Sequence, residues 1–315
     1  MNNTNQVPPL VSIIMNCRNS EKYLPEALDS IKAQEYSHWE VIFWDNASTD
    51  KSAGIARSYG EKIRYFKNDQ PVMLGKARSL AMEKAQGKYI AFLDCDDQWR
   101  PQKLQKQVAI LEASPDIGFV YGNYFRMIMP RTKRLVIGLK GKQPEGDVFE
   151  RFLYDYPVNL QTVILRKSVI DAAELKFDEY FQVSEEADFF LRILYLTKAA
   201  YIAEPLAVYR LHDEMSSKVL SYRYPVEAQH LIDKFKKNYD SFQSRYANGL
   251  RYFEAKLGYY YAKAEMERGN RRNARLKLKP YRFIDLKFFI LYLLTFLPQL
   301  AWNIAHKYKI EGKIN

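Results

Sequence analysis

Two acid-rich turns hold the side chains best suited to chemistry. Asp94-Cys95-Asp96-Asp97 follows the apolar run Tyr89-Ile90-Ala91-Phe92-Leu93, and Asp45-Asn46-Ala47-Ser48-Thr49-Asp50 follows Val41-Ile42-Phe43-Trp44. On an extended strand end, side chains two residues apart point the same way. Asp94 and Asp96 therefore face one space and are spaced to share a divalent cation. Held by hard oxygen ligands, such a cation acts as Lewis acid and template and neutralises a diphosphate that must depart. The competing reading makes these acids helix caps. The fully apolar strand directly before them weighs against it.

The elements that must position these acids follow an alternating pattern. Val11–Met15 is a first strand, and Ser20 is expected to cap a helix with Pro25 in its early turns and Leu24, Ala27, Leu28 and Ile31 on one face. Val41–Trp44 is a second strand, followed by a helix reaching Tyr59, and Ile63–Phe66 is a third. Lys76–Gln86 reads as a helix stopped by Gly87. Tyr89–Leu93 is a fourth strand, Pro101 opens a helix to Glu112, and Ile117–Tyr121 is a fifth strand. This alternation predicts an α/β fold, a mostly parallel open sheet flanked by helices. In such sheets ligands bind beyond the strands' carboxyl ends, where both acidic turns fall. Residues 125–215 are mixed, with a helix around Asp188–Leu196. From about 222 to 280 the pattern is helical, with Tyr252–Lys279 a two-helix unit turning at Gly269-Asn270. The expected division is 1–220 for the catalytic α/β domain and 221–315 for an α-helical C-terminal appendage.

Composition narrows the function classes. The chain has 315 residues and a net charge of +11. Residues 271–315 carry ten Lys/Arg and two acids, so most of that charge belongs to the tail and the α/β part is nearly balanced. The basic residues do not interleave with aromatics over the sheet, so a nucleic-acid partner is not expected. Two cysteines, Cys17 and Cys95, are too few and too far apart in sequence for a disulfide framework or a Cys-rich zinc site. With no signal peptide visible at the N-terminus, a cytoplasmic location is expected. Phe288–Ala305 has no charged residue, close to the minimum for a membrane span. Pro298 interrupts it, however, and Thr295, Gln299 and Asn303 recur as a polar stripe. An interfacial helix is expected, its flanking Arg282, Lys287, Lys307 and Lys309 meeting anionic headgroups on the cytoplasmic face of a membrane. The alternative is a core helix closing the appendage.

The succession VSIIMNCRNSEKYLPEALDSIKAQ, VIFWDNASTD and LGKARSLAMEKAQGKYIAFLDCDDQW resembles glycosyltransferase family 2 on a GT-A fold, over roughly residues 10–215. The resemblance implies an inverting transferase that takes a sugar from a nucleotide-sugar donor, with Mg²⁺ or Mn²⁺. It implies that Asp45 contacts the nucleotide base, Arg78 lies near the diphosphate, Asp94 touches the ribose or metal, and Asp96 ligates the metal. Ser184-Glu185-Glu186-Ala187-Asp188 resembles the acceptor-side motif, where a carboxylate takes the acceptor proton. The base falls on Glu186, with Glu185 as the alternative and Asp188 next. Tyr209-Arg210-Leu211-His212 resembles the family's closing motif, in which His212 completes the metal site or meets the diphosphate. The expected acceptor is a saccharide or lipid-linked sugar of bacterial surface polysaccharide or glycolipid synthesis. Two rivals differ in class. One is a non-catalytic nucleotide-sugar binding protein. The other is a sugar nucleotidyltransferase, which needs a Gly- and Lys/Arg-rich triphosphate loop that MNCRNSEKYL does not supply.

Overall fold

The computed structural model describes residues 7–128, 134–213 and 215–305. Two compact units divide the chain: Met1–Phe149 with Pro157–Ser221, and Glu150–Tyr156 with Tyr222–Asn315. The short Glu150–Tyr156 segment belongs with the helical unit, which chain order alone does not reveal.

In the first unit β1 (Val11–Cys17), α1 (Leu24–Lys32), β2 (Trp39–Asp45), α2 (Ser52–Ser58), β3 (Ile63–Lys67), α3 (Leu74–Met82) and β4 (Tyr89–Phe92) alternate as expected. They are followed by β5 (Gln98–Trp99), α4 (Lys103–Ala113), β6 (Ile117–Ile128) and β7 (Leu135–Ile137). After α5 (Phe149–Tyr154), which falls almost wholly in the second unit, come β8 (Ile164–Arg166), α6 (Lys167–Ala172), α7 (Glu185–Leu194) and β9 (Lys198–Leu211). Among the described residues the sheet runs β3-β2-β1-β4-β8-β6-β9-β5, with β7 pairing β6. The β3-β2-β1-β4 half is wholly parallel. Beyond it β8 runs antiparallel to both β4 and β6, while β6 and β9 are parallel. The sheet is therefore mixed, and its parallel character is confined to the half that carries both acidic turns. β1, β2 and β4 are apolar because both of their faces are covered; Val11, Ile13, Val41, Phe43, Tyr89 and Ala91 share one buried cluster.

Several local expectations change. The hydroxyl of Ser20 does not cap α1; the N-cap is Tyr23, and it is the Ser20 carbonyl that accepts from Tyr23 and Leu24. The apolar face Leu24, Ala27, Leu28 and Ile31 is buried as its spacing predicts. Helix α3 ends at Met82, so Gly87 is not its stop. A Cβ at Gly87 would lie 2.6 Å from both the Leu10 carbonyl and the Ser12 amide. Glycine is there because the β1 backbone passes directly against it. The helix expected around Asp188 begins three residues earlier, and it presses Phe190 edge-on against Phe92 and Phe119.

The first unit closes with α8 (Ser216–Val219), and the second contains α9 (Tyr224–Asn238), α10 (Phe242–Arg245), α11 (Ala247–Glu267), α12 (Arg271–Leu278), α13 (Leu286–Leu294) and α14 (Gln299–Ala305). The α11–α12 turn is made by Gly269 at φ +80°, where a residue without Cβ is favoured. Ala255, Tyr259, Ala262, Met266, Ala274 and Leu278 form its core with Phe288, Leu291 and Trp302. The stripe expected to be polar and solvated is therefore partly inward. Thr295 is buried, its hydroxyl donating to the Tyr292 carbonyl 2.6 Å away. Lys307 and Lys309 lie outside the described residues.

Candidate active site

The carboxyl ends of β1 and β4 open into a cleft of about 410 Å³. Its walls include Arg18, Lys22 and Tyr23 from the β1–α1 loop, Asp94 and Asp96 after β4, and Gln161 before β8. Glu185 and Glu186 at the start of α7 and His212 after β9 close it.

Asp94 to Asp97 do not continue the strand. The amide of Asp97 donates to the Asp94 carbonyl at 3.2 Å, and this turn brings a third carboxylate back to the other two. One oxygen each from Asp94, Asp96 and Asp97 lies within 4.8 Å of the others. Asp97 is buried; its Oδ1 accepts from the Arg210 amide at 2.7 Å while its Oδ2 has no hydrogen-bond partner. Burial, then the charge of neighbouring Asp96, holds Asp97 well above the ordinary carboxylate range. Burial and the charge of Asp94 likewise raise Asp96. His212 Nε2 lies 2.9 Å from Asp96 Oδ2, and its Nδ1 is buried without a partner. Converging hard oxygens are the donor set that Mg²⁺ or Mn²⁺ takes. The converging trio is Asp94, Asp96 and Asp97, with His212 bonded to Asp96. Asp97 thus joins the set expected from spacing.

Asp94 is clamped on two sides. Gln161 Nε2 donates to Asp94 Oδ2 at 2.8 Å while Gln161 Oε1 accepts the Asp94 amide at 2.9 Å. Arg78 Nη2 reaches Asp94 Oδ1 at 3.0 Å, and Arg78 Nη1 reaches Glu185 Oε1 at 2.6 Å. Arg78 is only 3% exposed. Burial opposes its charge, but Asp94 and Glu185 outweigh burial and hold it firmly protonated. A guanidinium committed to two carboxylates is a brace more than a diphosphate anchor. The cations on the outer wall are Arg18 and Lys22, both exposed.

The two glutamates are thereby separated. Glu185 is 5% exposed and tied to Arg78. Glu186 lines the cleft, and its carboxyl is pushed up to about 8, by burial first, with Glu185 and Asp94 adding and Arg78 opposing. Asp188 is fully buried and locked to Arg192 at 2.6 Å, one helical turn on. Asp45 is not brought into the cleft. It is 0% exposed, with Oδ1 accepting the Ser48 amide at 2.7 Å and Oδ2 the Tyr65 hydroxyl. Its carboxylate shapes the turn after β2. Beneath the cleft Cys17 Sγ lies 3.8 Å from the Ser48 hydroxyl and Cys95 Sγ donates to the Asn16 carbonyl at 3.4 Å, and the neighbouring Cys95 foremost lowers the Cys17 thiol to about 7. Both remain free thiols. Sequence reasoning missed Gln161, which lies in a single 3-10 turn, Leu160–Thr162, too short for a periodic signal. It quoted Asp97 and assigned it no role.

Comparisons with known proteins bear on the family and the fold. The sequence profile described as glycosyl transferase family 2 matches residues 12–171. The Escherichia coli UDP-Glc:alpha-D-GlcNAc-diphosphoundecaprenol beta-1,3-glucosyltransferase WfgD is 28% identical over 169 residues, 53% of this chain and 64% of its own length. The chain thus spans less than two-thirds of that relative. Staphylococcus aureus TarS 1-349 in complex with UDP-GlcNAc superimposes with a TM-score of 0.66 at 15% identity, covering 94% of this chain and 91% of TarS 1-349. The mannosyltransferase PcManGT from Pyrobaculum calidifontis, in complex with GDP-Man and Mn²⁺, gives 0.57 at 16% identity, covering 96% and 88%. At such identities these structures establish the fold.

Proposed function

Because the chain belongs to glycosyl transferase family 2, we propose that it transfers a sugar with inversion from a nucleoside-diphosphate sugar to an acceptor hydroxyl. The observation that carries this reading is the sorting of carboxylates at one cleft and beneath it. Asp94, Asp96 and Asp97 converge, Glu185 is neutralised by Arg78, and Glu186 faces the cleft with a raised pKa. Asp94, Asp96 and Asp97, with His212 alongside, would hold Mg²⁺ or Mn²⁺, which when bound neutralises the departing diphosphate. Arg18 and Lys22 are placed to meet the donor's phosphates. As the acceptor oxygen attacks the anomeric carbon, its proton passes to a carboxylate oxygen of Glu186. The bond from that carbon to the diphosphate breaks with its electron pair, and the nucleoside diphosphate leaves. A base titrating near working pH suits this transfer. Arg78 and Gln161 hold Asp94, and Arg78 holds Glu185, so the cleft is preorganised.

The acceptor reading follows the E. coli relative, whose name specifies a sugar on diphosphoundecaprenol. A lipid-linked acceptor in surface polysaccharide or glycolipid synthesis would set the enzyme to work at a membrane's cytoplasmic face. The test is incubation with UDP-glucose, UDP-GlcNAc and GDP-mannose, each with Mn²⁺ and a polyprenyl-diphosphate sugar, reading transfer and product anomer by NMR. Retained anomeric configuration would overturn inversion. Donor binding without transfer to any acceptor would favour the non-catalytic reading. Sugar-nucleotide formation from a sugar phosphate and a nucleoside triphosphate would favour the nucleotidyltransferase.

A further inference from the structure

Within the helical unit, residues 283–304 carry two apolar stripes, and only one of them has a partner. Phe288, Leu291 and Trp302 turn inward to the unit's core. Leu286, Ile290 and Leu293 on α13, Leu297 in the turn after it, and Leu300 and Ile304 on α14 recur at alternating sequence steps of four and three, and all are exposed, Leu286 to 72% and Leu300 to 69%. A water-facing side of a soluble helix is normally polar, and an apolar patch of this extent marks a contact surface. Its border is cationic. The Arg282 guanidinium lies 4.4 Å from the ring of Phe283, itself exposed and stacked on Phe289, and Arg275 lies 3.6 Å from the ring of Phe296. From Arg268 to Ala305 there are eight Lys/Arg and a single acid, Asp285, and Asp285 is occupied in capping α13 through the Phe288 amide. No helix among the described residues is long and apolar enough to cross a membrane.

We infer that this outward stripe is a docking surface for an anionic lipid bilayer, lying in the plane of the interface with its leucines and isoleucines among the acyl chains. The charge border decides the occupant. A second copy of this chain would bring cationic rim against cationic rim, whereas anionic headgroups neutralise it. The inference gives the lipid-linked acceptor reading its place of work, yet it is independent of the donor chemistry and separately measurable.

The test uses the full chain in flotation with vesicles of phosphatidylcholine alone, or of phosphatidylcholine mixed with anionic phosphatidylglycerol. Wild type should float with the anionic vesicles at least tenfold more strongly than with neutral ones, and 0.5 M NaCl should weaken this binding. Leu286→Glu/Leu300→Glu should lose at least tenfold, and Lys279→Glu/Arg282→Glu should lose most of the anionic preference. Circular dichroism melts and Mn²⁺-dependent UDP-sugar binding, unchanged in both, show that fold and donor site are intact. Leu286 and Leu300 are exposed, so an unfolded double variant would itself contradict the outward stripe; the single variants would then locate the error. Vesicle binding that survives the glutamates overturns the inference. So does a wild-type dimer by sedimentation that Leu286→Glu/Leu300→Glu dissociates without any vesicle binding. Lost donor binding by wild type alone would strike the proposed function and leave this surface standing.

Discussion

Replacing Glu186 by Gln keeps the side chain's shape and removes its basic oxygen. The carboxyl is held up to about 8, with burial as the largest cause. A base acts only when ionised, so kcat/KM of the wild type should fall about tenfold per pH unit below that value, with about one-tenth ionised at pH 7. A cation at the neighbouring aspartates favours the anion and moves the acidic limb lower, so the limb should lie at or below about 8. Positioned general bases contribute roughly 10²–10⁴-fold, or about 3–5 kcal/mol of barrier. Glu186→Gln should therefore lower kcat by that factor, leave donor Kd nearly unchanged and flatten the acidic limb. Stability should move the other way. The carboxyl titrates near 4.5 when unperturbed, so between 4.5 and about 8 the folded chain keeps a proton that the unfolded chain has released. Stability falls as pH rises through that window, and glutamine escapes the loss. Allowing for solvent screening in an open cleft, this amounts to roughly 1–2 kcal/mol. Tm should then rise by about 2–5 °C at pH 8.5 and be unchanged at pH 4.5. Initial rates from pH 5.5 to 9.5, donor titration calorimetry and melts at the two pH values read all three effects. Transfer within about fivefold of wild type, or an acidic limb that survives the substitution, would refute the assignment.

Three further outcomes follow from the same geometry. Asp96→Asn should abolish Mn²⁺-dependent donor binding by calorimetry while melts show the fold intact; retained cation dependence would remove Asp96 from the metal set. Gln161→Leu strips both bonds from Asp94 and should weaken Mn²⁺ binding by about tenfold, as loss of a ligand's supporting partner does. An unchanged Mn²⁺ titration would make that clamp merely structural. Gly87→Ala sets a methyl against two backbone atoms that have no rotamer to yield, and denaturant melts should show a loss of about 2–3 kcal/mol.

Much of the fold was legible where one physical rule acted alone. The β1–β4 half follows from strands covered on both faces, whose apolar runs contrast with capped helices. The rest was hidden by competition between local and distant terms. β9 carries Glu204 and Pro205 within its span, residues that argue against a strand, yet it pairs with β6 along its length. Gly87 carried the sequence mark of a helix stop, while the constraint it answers comes from Leu10 and Ser12 in a neighbouring strand.

The site divides in the same way. Asp94 and Asp96 were readable because alternation along a strand is local. Asp97 enters because the chain turns at Asp94, which reverses the side to which alternation would have sent it. Gln161 carries no local signal at all, since its function is defined by Asp94, 67 residues away. The choice between Glu185 and Glu186 was equally out of reach from adjacent residues. Both open the same helix turn, where the dipole favours any carboxylate. What separates them is Arg78, 107 residues earlier in the chain. Arg78 holds Glu185 and Asp94 together in a buried brace, which on the proposed mechanism takes one glutamate out of the proton transfer. The other is left facing the cleft with a raised pKa, and a conservative Arg78→Lys change, which lacks the planar fork that reaches both carboxylates, should blur that distinction.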